Sequence, residues 1–222
     1  MVDAANPPVV AVLTRAPSSG GKTRLFTSLG VPPDPALLSA LLLDTLDGAA
    51  APGVRRVVAV TPPESCDEVR RMVGDIGDID VISQPDGDLG DRMRGVMGAL
   101  LARPAPAVAL VGSDVPHINP PAIIEAFGIV SRDRNALVLG PAGDGGYYLL
   151  AAARLPAVFA DMAWGSAAVC GRTEAAAVRD GFTVHRLATM NDVDTADDLR
   201  RASATGRAPR TAAWLVRHDG WK

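Results

Sequence analysis

Short apolar runs alternate along the chain with stretches whose apolar residues recur every three or four positions, and turn-forming residues separate the two. Residues 8–14 (PVVAVLT) are β-branched and apolar throughout, which predicts a strand buried on both faces. A polar loop over 15–22 follows. Asp34-Pro35 then opens a helix whose face carries Leu37, Leu38, Leu41, Leu42 and Leu46. Residues 54–61 read as a second strand, 64–73 as a second helix and 79–83 as a short third strand. Residues 89–101 read as a helix, with Met93, Val96, Met97, Leu100 and Leu101 at helical spacing. The apolar run beginning at Val108 is the next strand, and Asn119-Pro120-Pro121 caps and starts the next helix. Strands over 135–140 and 147–151 are joined by a glycine-rich link too short for a parallel crossover, so this pair is expected to run antiparallel. A helix near 167–179, a last strand over 182–187 and a helix over 195–201 complete the pattern. From Ser203 onward the chain is basic and reads as irregular, with Trp214 and Trp221, a tail that either packs across the domain, mediates self-association or frays.

Strands alternating with helices of these lengths predict an α/β fold: a mostly parallel central sheet with helices on both faces and one antiparallel strand. No internal repeat or linker divides the 222 residues, so 1–222 is expected to form one domain, with its core over about 8–200 and a tail over 203–222. Hydrophobic residues make up 48% of the chain, enough apolar surface for an ordered globule. A net charge of -3 gives no general attraction to nucleic acid or an anionic membrane. Cys66 and Cys170 stand far apart without metal-ligand spacing and read as reduced thiols. With no secretory leader pattern and no apolar run near the roughly 20 residues of a membrane span, the expectation is a cytoplasmic protein.

Candidate chemistry begins where the run 108–111 (VALV) ends on Gly112, Ser113 and Asp114. Ligands bind open α/β sheets at strand carboxyl ends, and a hard carboxylate there suits a divalent cation beside a phosphorylated ligand. Capping of the next turn is the competing role for Asp114. Residues 16–23 (APSSGGKT) nearly match the phosphate loop G-x-x-x-x-G-K-[ST], with Ala16 in the first glycine position. A P-loop should feed a stable helix, whereas Gly30, Pro32 and Pro33 leave about two turns. The Asp-rich turn near Asp192 and the Gly145-Gly146 hairpin also have no place in that architecture. What survives is a flexible cationic loop of Arg15, Gly20, Gly21, Lys22 and Arg24, suited to a diphosphate or else simply solvated.

Three further segments stand out. Residues 89–93 (LGDRM) open a helix whose free N–H groups, with Gly90 and Arg92, suit a phosphate or nucleobase; a capped amphipathic helix fits them equally. Asp144 stands among Gly143, Gly145 and Gly146, which permit close backbone approach and expose its carboxylate. Tyr147 and Tyr148 should alternate faces, one toward a pocket and one into the core. Trp164-Gly165 precedes a helix and either lines a ligand pocket or packs. His117, expected to be solvated, is assigned no chemistry, nor are His185 and His218.

Five motifs follow in order: RAPSSGGKTRL (15–25), GDLGDRM (87–93), GSDVP (112–116), GPAGDGGYYL (140–149) and NDVDTADDL (191–199). Together they resemble an uncharacterised GT-A-type glycosyltransferase family of the nucleotide-diphospho-sugar transferase superfamily, and more distantly the molybdenum-cofactor and phospholactate guanylyltransferases. The resemblance spans about 8–200. It implies a GT-A fold with a nucleotide on the first half of the sheet, contacted by the cationic loop, Gly90, Arg92 and Ser113. It implies a divalent metal, Mg²⁺ or Mn²⁺, on Asp114 with Asp192 or Asp194 as further carboxylate; a cap of the last helix is the other role for Asp194-Thr195. Only one acid stands in GSDVP, where many glycosyltransferases carry D-x-D. Asp144 would orient or deprotonate an acceptor beside Gly145, Gly146 and Tyr147.

The leading expectation is sugar transfer from a nucleotide-diphosphate sugar to a small acceptor. The alternative is guanylyltransferase-like nucleotidyl transfer to a phosphorylated small molecule with release of pyrophosphate, whose signature G-x-G-x-R-[LM] is matched loosely by 21–25 (GKTRL). A nucleotide-binding protein without catalysis is the third class and a P-loop-like NTPase or kinase a remoter one, and a homodimer is compatible with each.

Overall fold

The computed structural model describes residues 6–103 and 105–218. Strand β1 (Val9–Arg15) pairs in parallel with β2 (Arg55–Thr61) on one side and β4 (Val108–Gly112) on the other, and β2 pairs in parallel with β3 (Ile79–Ser83). Beyond β4 lies β6 (Tyr147–Ala152), antiparallel to both β4 and β5 (Ala136–Pro141), and β7 (Thr183–Arg186) closes the sheet parallel to β5. The order β3-β2-β1-β4-β6-β5-β7 forms one seven-stranded sheet in which β6 alone is reversed. The short link after β5 dictates that reversal. It also brings the amino end of β6 to the edge where β1 and β4 finish.

The helices are α1 (Thr23–Leu29), α2 (Pro35–Gly48), α3 (Cys66–Val73), α4 (Leu89–Ala102), α5 (Pro120–Arg132), α6 (Val169–Arg179), α7 (Ala196–Ala204) and α8 (Pro209–His218). Their starts follow the capping residues: Asp34, Asp88 and Asn119 each accept a backbone N–H at the head of α2, α4 and α5, at 2.8, 2.9 and 3.1 Å. Alternate strand residues feed two cores. Val10, Val12, Val58 and Val60 pack with α2, α3 and α5, while Val9, Ala11, Val57 and Ala59 pack with α4 and α6. The α/β architecture with its reversed strand therefore stands as expected from the apolar pattern.

A third core lies off the sheet, where Leu25 and Phe26 of α1, Leu37 and Leu41 of α2, and Leu199 and Ala202 of α7 surround Trp214. The expectation of an irregular tail is corrected here. Residues 209–218 form α8, Trp214 is 2% exposed, and its Nε1 donates to Asp34 Oδ2 at 2.6 Å. The Thr211 amide and Arg210 Nη1 donate to fully buried Asp44 at 2.8 and 3.1 Å. The apolar residues of this segment, 212–216 (AAWLV), are consecutive rather than spaced every three or four positions, so the sequence shows no helical period there. Trp221 lies outside the described residues. Cys66 and Cys170 are both buried and free. Among the described residues no helix is long and apolar enough to cross a membrane.

Candidate active site

Asp114 lies two residues beyond the end of β4, so the parallel sheet itself carries its carboxylate to the edge. The turn 191–194 returns to the same place after β7. Val193 is fully buried in the third core, and its amide donates to the Asp114 carbonyl at 2.9 Å. That anchor leaves Asp192 and Asp194 on either side, and one carboxylate oxygen from each of Asp114, Asp192 and Asp194 lies within 4.8 Å of the others. Thr195 does cap α7, in a reciprocal capping box with Asp198, but Asp194 does not supply the cap. Its carboxylate is turned toward cations instead.

Those cations come from the loop after β1. Gly20 and Gly21 have φ of +69° and +128°, and Lys22 itself sits in the left-handed region at φ +50°. A non-glycine residue held there stores strain, which persists where the surroundings over-determine it. Lys22 Nζ lies 2.6 Å from Asp114 Oδ2 and 2.6 Å from Asp194 Oδ1, and Arg24 Nη1 lies 3.2 Å from Asp194 Oδ2. Burial alone would lower the Lys22 pKa, but Asp114 and Asp194 outweigh it and hold it above the ordinary value. Arg15, Gly20, Gly21, Lys22, Ser113 and Asp114 share a small cavity of about 240 Å³. The short α1 behind this loop, and the reversed β6, set it apart from a P-loop NTPase.

Among the described residues no cation forms an ion pair with Asp192. Burial, reinforced by Asp114, Asp194 and Asp144, pushes its pKa from 3.8 up to about 6 against the opposing pull of Lys22. Three crowded oxygen donors, one reluctant to ionise, with an ammonium bridging the other two, are chemically of the kind that would suit a hard divalent cation.

A second cavity, of about 310 Å³, opens on the other side of Asp114 and also reaches Ser113, Asp144, Gly146, Tyr147 and Asp192. Asp144 is exposed, and its Oδ1 accepts the Gly146 N–H at 2.9 Å. The hairpin is held by neighbours as well as by its own turn: the Gly143 amide donates to Asn191 Oδ1 at 3.1 Å, and the Gly145 carbonyl accepts from Cys170 N at 2.8 Å. Gly145 has φ +92°, and a Cβ there would meet the Ala167 carbonyl oxygen at 2.1 Å, so it serves the close approach of the loop before α6. Tyr147 and Tyr148 do face opposite cores, although both reach the cavity wall. Tyr148 Oη donates to the Ala188 carbonyl at 3.1 Å, and burial pushes its pKa up to about 12.

Gly90 and Arg92 are not among the residues lining either cavity. Gly90 is buried where a Cβ would come within 2.3 Å of the Phe159 carbonyl oxygen and 2.9 Å of the Trp164 ring, and Arg92 Nε donates to the Asp88 carbonyl at 3.2 Å. Leu89 and Met93, one position to each side, do line the larger cavity, as does Trp164. His117 is half-buried rather than solvated, its pKa lowered by burial and by Arg207. Asn191 was not read from the sequence as a positioning residue; its place beside Asp192 in one motif was the available signal.

Residues 45–166, which include Asp114 and Asp144, match the family described as "Uncharacterized protein conserved in bacteria (DUF2064)". The chain is 31% identical over 207 residues to a phosphoenolpyruvate guanylyltransferase of Streptomyces scabiei (strain 87.22), covering 90% of this chain and 93% of the relative. It is 27% identical over 209 residues to the protein of the same name from Nocardia farcinica (strain IFM 10152), covering 90% and 87%. A crystal structure from Desulfovibrio desulfuricans G20, described provisionally as a nucleotide-diphospho-sugar transferase, superposes with a TM-score of 0.83 at 27% identity over 96% of each chain. The chain thus belongs to the DUF2064 family and has the nucleotide-diphospho-sugar transferase fold.

Proposed function

We propose that this transferase moves a nucleotidyl group. A phosphate oxygen of a small phosphorylated acceptor attacks the α-phosphorus of a nucleoside triphosphate. The bond to the bridging oxygen breaks, and pyrophosphate leaves with that electron pair. The observation that carries the reading is the meeting of the glycine-rich cationic loop with the carboxylates of Asp114 and Asp194 through Lys22. The guanylyltransferase names of full-length relatives support it over the glycosyl transfer expected first.

Arg15, Lys22 and Arg24 would hold the triphosphate, with the Gly20 and Gly21 amides beside it. Lys22 would offset charge on the departing pyrophosphate. Asp114, Asp192 and Asp194 would hold Mg²⁺ or Mn²⁺, which supplies Lewis-acid stabilisation of phosphoryl charge. Asp144, Gly146 and Tyr147 would place the acceptor across Asp114, with Gly145 holding their hairpin against the loop before α6, and Asp144 would accept a hydrogen bond from the acceptor. Both substrates are small molecules in this reading.

The test is pyrophosphate release from each triphosphate in the presence of Mg²⁺ and a panel of phosphorylated acceptors. Acceptor-dependent pyrophosphate is the expected result; its absence across the panel sinks the reading. Sugar transfer from a nucleotide-diphosphate sugar is the second reading, favoured by the Desulfovibrio structure. It is told apart by nucleoside diphosphate appearing without pyrophosphate.

A further inference from the structure

The two cavities at Asp114 differ in charge. The smaller one holds the cationic loop. The larger one is lined by Asp114, Asp144 and Asp192 and by apolar walls such as Leu89, Met93 and Trp164, and among the described residues no Lys, Arg or His lines it. With Asp114 and Asp192 given to a cation, Asp144 is the charge left facing the cavity. Its Oδ1 is engaged by its own hairpin. Its Oδ2 is an acceptor with no donor capacity.

We infer that this cavity selects an acceptor whose sole anionic group is the reacting phosphate, and whose remaining body is uncharged and bears a hydroxyl for Asp144. This rests on the nucleotidyl-transfer reading and adds the substrate class to it. A second carboxylate on the acceptor would lose its water without gaining a counter-ion, against apolar walls and facing Asp144. A hydroxyl would donate to Asp144, while the Trp164 ring and the aliphatic walls cover the carbon skeleton. A cavity of about 310 Å³ has room for a body the size of a hexose. Phosphoenolpyruvate, with a carboxylate beside its phosphate, is the wrong shape of charge for this wall, although relatives are named for it.

The experiment is isothermal titration of the full chain, saturated with Mg²⁺ and a non-transferable α,β-methylene triphosphate. The titrants are glucose 1-phosphate, glucuronic acid 1-phosphate and phosphoenolpyruvate. The first two differ by one carboxylate on the same ring. Glucose 1-phosphate should bind at least about tenfold more tightly than either carboxylated compound. The Leu89→Arg variant, which adds a cation at a position 39% exposed on the cavity wall, should narrow that gap. Equal or tighter binding of a carboxylated compound to the unmodified chain overturns the inference, as does no binding of any of the three. Pyrophosphate release is read separately. If it never appears while the binding preference holds, the reaction assignment fails and the charge selection stands.

Discussion

The Val193 amide donates to the Asp114 carbonyl at 2.9 Å, and this one backbone bond ties the turn after β7 to the end of β4. Because it uses main-chain atoms, it occupies none of the three carboxylates. Asp114→Asn should leave that bond and the fold in place while removing a charged donor. Metal-dependent nucleotide affinity and turnover should both fall, turnover by at least about a hundredfold. Unchanged binding and turnover in the presence of Mg²⁺ would remove Asp114 from the site.

Lys22 neutralises two of the three acids when no metal is present. In Lys22→Ala those acids repel one another unscreened, so Mn²⁺ should raise the melting temperature by about 2–4 °C more than it does in the unmodified protein. Triphosphate affinity should fall at the same time. An equal metal-induced shift in the two proteins would show that Lys22 does not counter the carboxylates.

Asp192 makes metal-free stability depend on pH. Its folded-state pKa is raised to about 6 from 3.8, so the folded protein keeps a proton across that interval that the unfolded chain releases. Its contribution is therefore greatest below pH 3.8, falls as pH rises through the interval, and stays low above about 6. Asp192→Asn should flatten this slope and raise metal-free stability at neutral pH. Chemical denaturation at a series of pH values in chelator measures it, and an unaltered slope would count against the crowding of Asp192.

Trp214 joins α8 to α1, α2 and α7, and its indole N–H meets Asp34. Trp214→Ala should cost about 3–5 kcal/mol through lost burial and a cavity. The same core holds Val193, so metal affinity should weaken in the folded fraction as well. Urea unfolding with a metal titration checks both. A loss under about 1 kcal/mol would mean that α8 is only loosely attached.

The strands were legible because β-branched runs of the right length have few other solutions, and the length of the link over 142–146 was enough to predict the reversal of β6. The approach of Asp192 and Asp194 to Asp114 was carried by the motif resemblance. Lys22 was readable as a phosphate ligand but not as a bridge between Asp114 and Asp194, which depends on a left-handed backbone at its own position. Gly90 looked like a ligand-facing glycine, yet what approaches it is the chain itself, at Phe159 and Trp164. Local sequence cannot distinguish a ligand from a distant loop. Nor did it show α8, whose helix is justified by a core built mostly from residues far earlier in the chain.

The reversal of β6 has a consequence for how this protein can diversify. The cationic loop hangs from β1, whereas the hairpin bearing Asp144 hangs from a strand running the other way and is braced by Asn191 and Cys170. Insertions or substitutions in that hairpin can remodel the cavity beside Asp144 while the loop after β1 keeps its geometry. Under the proposed nucleotidyl transfer, related chains would then share one leaving-group chemistry and differ widely in what they make.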